Sequence, residues 1–431
     1  MTMEFKYGLE DRPPLAEALL FALQWFAVTV PLIVIMGRIV AGFHENDPAG
    51  QILYLQKLTF VVAVTLACEI WWGHRLPIVA GPSSILLIGV LASRGFDAAT
   101  VYTAVACGGA LLTLASLTGI FTLLQRLFTP RIIAVILILI AFTLAPKIME
   151  MVTLGDGNAP PIANLSFALV LTFGMFWLNR QLGGIWKSTL ILWVMGLGSL
   201  LYQLWVPAAQ VTAAAAPPWF ASLFTNLTTH PRFDPGVLIS FLICFLALSI
   251  NDLGAIQSVN ALLSPPEPKR RLICGMAITG LANVFSGFLG VLGPVNYTLS
   301  PGILAATSCA SRRIFIPTAF LLLLLSLSPW AVGIAGKVPS VIVGSILLYV
   351  LTSQVAVGFM TALEAGGPFG LTEGTVVGGP VLIGAVIAFL PAPIFATIPV
   401  TLQPILGNGF VVGMIAALIL EHVIFKVEKE G

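Results

Sequence analysis

Uncharged apolar runs follow one another along almost the entire chain. Ile132–Pro146, Phe320–Leu327 and Val411–Leu420 contain no ionisable group. Of 431 residues, 58% are apolar and 9% charged, against about 25% charged in a typical soluble domain. Such a chain is expected in a bilayer, where every backbone polar group needs a partner and only helices or closed barrels can span. Apolar runs of about twenty residues fit helices. They give fourteen segments: 15–36, 52–72, 76–93, 98–125, 130–149, 164–180, 185–206, 236–260, 271–291, 293–310, 314–334, 339–362, 371–390 and 404–425. The expected fold class is therefore an all-α polytopic membrane protein in contact with membrane lipid. A cleavable signal does not fit, because Glu4, Lys6, Glu10, Asp11 and Arg12 precede the first span. The five cysteines are odd in number and scattered, which argues against disulfides or a metal site. A net charge of +2 gives no reason to expect nucleic acid as a partner.

Two of the segments are interrupted in the same way. Pro77-Ile-Val-Ala-Gly-Pro-Ser-Ser-Ile-Leu-Leu87 and Pro294-Val-Asn-Tyr-Thr-Leu-Ser-Pro-Gly-Ile-Leu304 lie 217 positions apart. Each opens on a proline, runs through extended-type residues, and passes a serine and a proline into an apolar tail. Matching interruptions in the two halves of a membrane protein are the best sequence pointer to a transporter's binding site. The freed backbone groups are tolerated only where protein covers them or they line a cavity. Other landmarks recur in the same order: Pro14 with Pro235 before spans one and eight, and Pro130 with Pro339 before spans five and twelve. Seven spans per copy is an odd number, so the second copy enters from the opposite side. The expectation is a 7+7 inverted repeat. With both termini cytoplasmic, fourteen of the twenty Lys and Arg residues fall on the cytoplasmic side.

These residues resemble the nucleobase–cation symporters, also called nucleobase/ascorbate transporters, of which bacterial uracil permease is a member. The resemblance runs nearly end to end. Tyr7-Gly-Leu-Glu-Asp-Arg-Pro-Pro14 is similar to the family's entry, and Gln24 falls at its Gln-His pair in span one. Leu76–Ser84 is similar to the third span, and Asn283–Gly290 to the approach to the tenth. Tyr297, Gly302 and Thr307 match the signature spacing. The resemblance implies a core domain from 1–125 and 231–336 and a gate domain from 126–230 and 337–431. It also implies a small-molecule substrate between short antiparallel strands at the breaks, coupling to a proton or sodium, and a homodimer in a bacterial inner membrane.

The chain departs from the family at the residues that usually grip a nucleobase. Leu299 and Ser300 stand where the signature has Glu-Asn, Asn251 stands at the binding glutamate of span eight, and Trp25 follows Gln24 in place of His. A carboxylate accepts N–H donors and an isobutyl group accepts none. Both half-helices begin near the midplane, around Pro82 and Leu299, and helix N-termini offer free N–H groups and partial positive charge. Ser83, Ser84, Thr298 and Ser300 add hydroxyls there. Such a site also suits an anion, and sulfate-permease-like carriers of the same fold are the analogy. Trp25 is either a planar wall for a ligand or an ordinary packing residue.

Asp252 lies about fifteen residues into span eight, roughly 20–25 Å along a helix. An ionisable group at that depth is a functional candidate by default, here for ion coupling. Asn251 faces about 100° away and shares a face with Ala255 and Ser258, the expected substrate side. Glu69, near the end of span two, reads as an interfacial partner of Arg75, and Glu364 and Glu373 read as interfacial. Trp71-Trp72 reads as an interfacial anchor.

The expected function is a secondary permease for a nucleobase-like or related planar solute. The alternatives are a carrier or channel for a small organic or inorganic anion, and a transport-inactive membrane protein. No GxxxxGK[ST] motif, metal motif or nucleophile constellation points to an ATPase or an enzyme, and nothing calls for a cofactor.

Overall fold

The structure is a computed structural model that describes residues 5–44, 47–93, 95–119, 127–156, 159–206, 218–298, 300–307, 309–363 and 370–425. Leu299 and Glu364 lie outside the described residues. Among the described residues, the regular structure is helical apart from two three-residue strands and one isolated bridge.

The first half contains α1 (Leu15–His44), α2 (Pro48–Trp71), β1 (Ala80–Pro82), α3 (Ser84–Ala92) and α4 (Ala98–Thr118), then α5 (Pro130–Thr153), α6 (Pro161–Gln181) and α7 (Leu190–Trp205). The second half repeats the order. It has α8 (Pro235–Leu263), α9 (Pro268–Leu289), β2 (Pro294–Asn296), α10 (Ser300–Thr307), α11 (Phe315–Ser326) with α12 (Pro329–Gly336), α13 (Ser340–Leu363), α14 (Leu371–Ala388) and α15 (Gly409–Ile419).

Repeated sequence landmarks become repeated helix starts. Pro130 and Pro235 are first-turn prolines, where the missing N–H costs nothing. Thr129 and Asp234 cap them, accepting from Ile132 N at 3.3 Å and Val237 N at 3.0 Å. Pro339 immediately precedes α13. Gly290, at φ 72°, ends α9 in the left-handed cap position that lets the chain turn into β2.

The packing shows the inverted repeat directly. α2 packs on α11, and α9 packs on α4. Exchanging the halves turns α2 into α9 and α11 into α4, so each pair is the image of the other. α5 packs on α13, its own image, as β1 does on β2. α1, α2, α8 and α9 pack against the strands, with α4 and α11 packed on those helices, while α5, α6, α7, α13, α14 and α15 pack mainly among themselves.

Among the described residues, nine helices are long and apolar enough to cross a membrane. Two bent pairs would each add one, and α7 is apolar but only 16 residues long. The fourteen expected segments therefore differ in kind. The expected span 314–334 bends by 93° between α11 and α12, where Ser328 caps a new helix that begins with Pro329. The expected span 404–425 bends by 61° ahead of α15, where Asn408 accepts from Phe410 N and Val411 N. Capping side chains and prolines, which hydropathy does not see, set these breaks. Large apolar side chains such as Phe173, Trp177 and Leu204 stand exposed on the outer helices, as a lipid-facing surface requires.

Candidate functional site

At the centre, the two interrupted segments meet. β1 and β2 pair antiparallel, with Ala80 opposite Asn296, Gly81 opposite Val295 and Pro82 opposite Pro294. Proline has no N–H to give a ladder, and Pro82 and Pro294 face each other at one end of this one. Flanking bonds extend the pairing: Ser83 N donates to Gly293 O, and Tyr297 N donates to Val79 O, both at 2.9 Å. These bonds satisfy backbone groups that hydrocarbon would leave orphaned. Tyr297 lies across Gly81, where a Cβ would come within 2.6 Å of the phenol ring, and its hydroxyl donates to Pro82 O at 2.7 Å.

α3 and α10 start at the strand ends. The Ser83 hydroxyl caps α3 by accepting from Leu86 N at 3.3 Å. The Ser300 hydroxyl accepts from Val79 N at 3.1 Å and donates to Tyr297 O at 2.9 Å. Both serines therefore hold the break together. Ser84 and Asn251 are half-buried and Thr298 is exposed, so these three keep accessible surface, while Ala255 is fully buried. Gln24 and Trp25 are buried in α1, which touches β1. The Trp25 ring sits 4.7 Å from that of Phe315, so it packs inside the protein, and its indole Nε1 has no hydrogen-bond partner among the described residues.

Behind β2 lies a cluster of buried polar side chains. Asp252 is fully buried on α8, and its Oδ1 accepts from Asn296 N at 3.0 Å. The neighbouring Asn251 faces another direction, as helix geometry requires. Glu69 is also fully buried, and the expected interfacial pair with Arg75 is not formed. Glu69 instead accepts from His74 N at 3.1 Å and from the Thr279 hydroxyl at 3.2 Å, with Asn296 Nδ2 3.5 Å away. Arg75, at φ 54°, turns outward, and its Nε donates to Trp71 O. Three residues of this cluster, His74, Thr279 and Asn296, were not among the sequence candidates, and Glu69 was read as an interfacial partner of Arg75. The sequence signal was the Glu69 carboxylate inside an apolar span, and Arg75, six residues later, masked it. Glu373, by contrast, is partly exposed and lies 3.5 Å from Arg131.

Paired half-helices fed by crossing strands, inside an inverted repeat of membrane helices, define the secondary-transporter class. The permease family that takes its name from xanthine and uracil permeases matches residues 16–393. The chain belongs to that family. It is 22% identical over 408 residues to uric acid permease PucJ of Bacillus subtilis (strain 168), covering 91% of this chain and 88% of PucJ. It is 21% identical over 406 residues to nucleobase transporter PlUacP of Paenibacillus larvae subsp. larvae, covering 91% and 90%. The transmembrane domain of a cyanobacterium bicarbonate transporter, BicA, has the same fold, with a TM-score of 0.63 at 16% identity, covering 90% of this chain and all of that one. The protein is thus an integral membrane transporter for a small molecule, not an enzyme.

Proposed function

We propose that this permease moves a nucleobase-like, planar heterocycle across a bacterial inner membrane, with both termini cytoplasmic and with a coupled proton or sodium ion. The observation that carries the reading is the strand pair with its two half-helices, in a chain alignable over nine-tenths of its length with a uric acid permease and a nucleobase transporter. Substrate is held at the strand ends by Ser84, Asn251 and Thr298, which keep accessible surface, and by Leu299, which follows Thr298 in sequence. Ser83, Ser300 and Ala255 shape the floor. Gln24 and Trp25 form the α1 wall, where the unpartnered indole N–H offers a donor to a ligand acceptor. Asp252 serves ion coupling. The helices around the strands act as the core domain and those of 126–230 and 337–431 as the gate. The exposed apolar faces of α6 and α14 suit lipid or a second copy in a homodimer.

The anion-carrier reading keeps one specific support: Asn251 and Leu299 supply no carboxylate to accept N–H groups, and the fold is shared with BicA. A thermal-stability screen of purified protein with uracil, xanthine and uric acid beside carboxylates and sulfonates separates the two. A ligand at 100 times its Kd stabilises by about 2.7 kcal/mol. Stabilisation by a nucleobase alone supports the first reading. Stabilisation only by anions lacking a heterocycle overturns it.

A further inference from the structure

We propose that Glu69 and Asp252 together form one proton-binding site behind the strand pair, bridged by Asn296, so that proton loading is felt at β2 without touching substrate. The proposal rests on the reading of the chain as an ion-coupled permease and adds where the proton sits.

Charge is the first argument. Glu69 and Asp252 are both fully buried. Among the described residues, no Lys or Arg pairs with either. The two arginines beside His74 are engaged on carbonyls. Arg271 on α9 donates through Nη1 to His74 O at 3.0 Å and Arg75 O at 2.9 Å, and through Nε to Pro266 O. Arg75 donates to Trp71 O. His74 is fully buried with Nε2 3.5 Å from Glu69 Oε2. However, its Nδ1 accepts from Leu76 N at 2.9 Å. A nitrogen that accepts a hydrogen bond carries no proton, so the ring is the neutral Nε2–H tautomer. Two carboxylates thus share a buried space with no cation. Burying an unpaired charge costs several kcal/mol per ion, and two carboxyls in one site resolve this by holding a proton.

The hydrogen-bond inventory gives an independent argument. Glu69 Oε1 and Oε2 have donors, and Asp252 Oδ1 has one. Asp252 Oδ2 is buried and has none among the described residues. An acceptor left empty amid otherwise satisfied neighbours is where an added proton changes least.

Asn296 connects this site to the transport machinery. Its backbone N–H holds Asp252 at 3.0 Å, while its amide sits against Thr279 at 3.2 Å, Glu69 at 3.5 Å and His74 at 3.3 Å. The same residue pairs with Ala80 across the strands, three positions before Leu299. The groups facing the pair are therefore Glu69 from α2, His74 from the following turn, Asp252 from α8, Thr279 from α9 and Asn296 from β2, with Arg271 and Arg75 engaged on carbonyls beyond His74.

The test uses the full chain in proteoliposomes. Infrared difference spectra between acid and alkaline buffer are recorded without substrate, and accumulation of uric acid, xanthine and uracil is measured under an imposed pH gradient. A protonated carboxyl band is expected in the wild type. It should be lost or displaced in Glu69→Gln and in Asp252→Asn alike, because one proton belongs to both. Glu69→Gln should reduce gradient-driven accumulation about tenfold while slowing exchange at equilibrium much less. If Glu69→Gln does not fold, Glu69→Asp keeps a titratable group and should move the band and its midpoint. A band unchanged in both single variants overturns the proposal. So does accumulation driven by a sodium gradient alone and indifferent to Glu69→Gln. If the band behaves as expected but no nucleobase accumulates in the wild type, the proton site stands and the nucleobase reading fails.

Discussion

The backbone N–H of Asn296 donates to the Asp252 carboxylate across 3.0 Å. This bond ties the middle of α8 to the strand that faces Ala80, and it is buried from solvent on both sides. A bond from N–H to a carboxylate is stronger than one between neutral groups. Asp252 therefore has a structural duty in addition to its proposed part in ion coupling, and the two duties can be separated by the residue that replaces it.

Asp252→Asn keeps an acceptor for Asn296 N but cannot load a proton. It is expected to retain the fold and some exchange of substrate while losing gradient-driven accumulation. Asp252→Ala leaves the Asn296 N–H buried without a partner and should lower stability by about 1–3 kcal/mol. Thermal unfolding in detergent, beside uptake and counterflow in liposomes, reads both. Undiminished accumulation in well-folded Asp252→Asn would remove this residue from coupling.

Gly81→Ala places a methyl group 2.6 Å from the Tyr297 ring. The ring is held by its hydroxyl bond to Pro82 O, so overpacking should cost about 1–3 kcal/mol. Tyr297→Phe alone loses one hydrogen bond, about 1 kcal/mol. Because the residues touch, the pair should be non-additive. Additive melting shifts in a double-mutant cycle would show that the contact does not form.

Substrate preference should follow the acceptors at the strand ends. Asn251→Glu with Leu299→Glu is expected to shift binding toward N–H-rich nucleobases and away from anions. Each new bond to a charged acceptor contributes about 1.5–3 kcal/mol, or roughly tenfold or more in Kd. Isothermal titration with uracil, xanthine and a sulfonate checks it. Unaltered preferences would place the substrate elsewhere.

The N-terminal segment is latched by Arg312. Its Nε lies 3.0 Å from both Glu10 carboxylate oxygens and its Nη2 2.8 Å from Oε2, while Nη1 donates to Ile70 O. These bonds hold the Glu10 carboxyl below the ordinary glutamate range. A depressed folded-state value means the latch is complete above the ordinary range and is lost as pH falls through the depressed one. Hydrogen exchange across residues 5–12 should accelerate in acid, and at neutral pH in Arg312→Ala. Equal exchange in Arg312→Ala and the wild type would refute the latch.

Hydropathy and proline placement carried the membrane architecture. A chain of uncharged runs can bury itself only in lipid, and Pro130, Pro235 and Pro339 mark helix starts because proline fits there without loss. The repeated breaks at Pro77 and Pro294 foretold extended segments, since a helix cannot pass through such a sequence in hydrocarbon without other partners. Asp252, which is fully buried, was visible as a charge deep within an apolar span. Glu69 was not, because Arg75 follows six residues later and an interfacial ion pair explains such spacing equally well. Only the fold decides that Gly73 and His74 turn the chain, sending Arg75 outward and leaving Glu69 against Thr279 and Asn296. These partners are more than two hundred positions away in sequence. Apolar patterning is local and survives in one dimension. Which buried carboxyl meets which amide depends on how two inverted halves cross, and that is settled only when β1 lies beside β2.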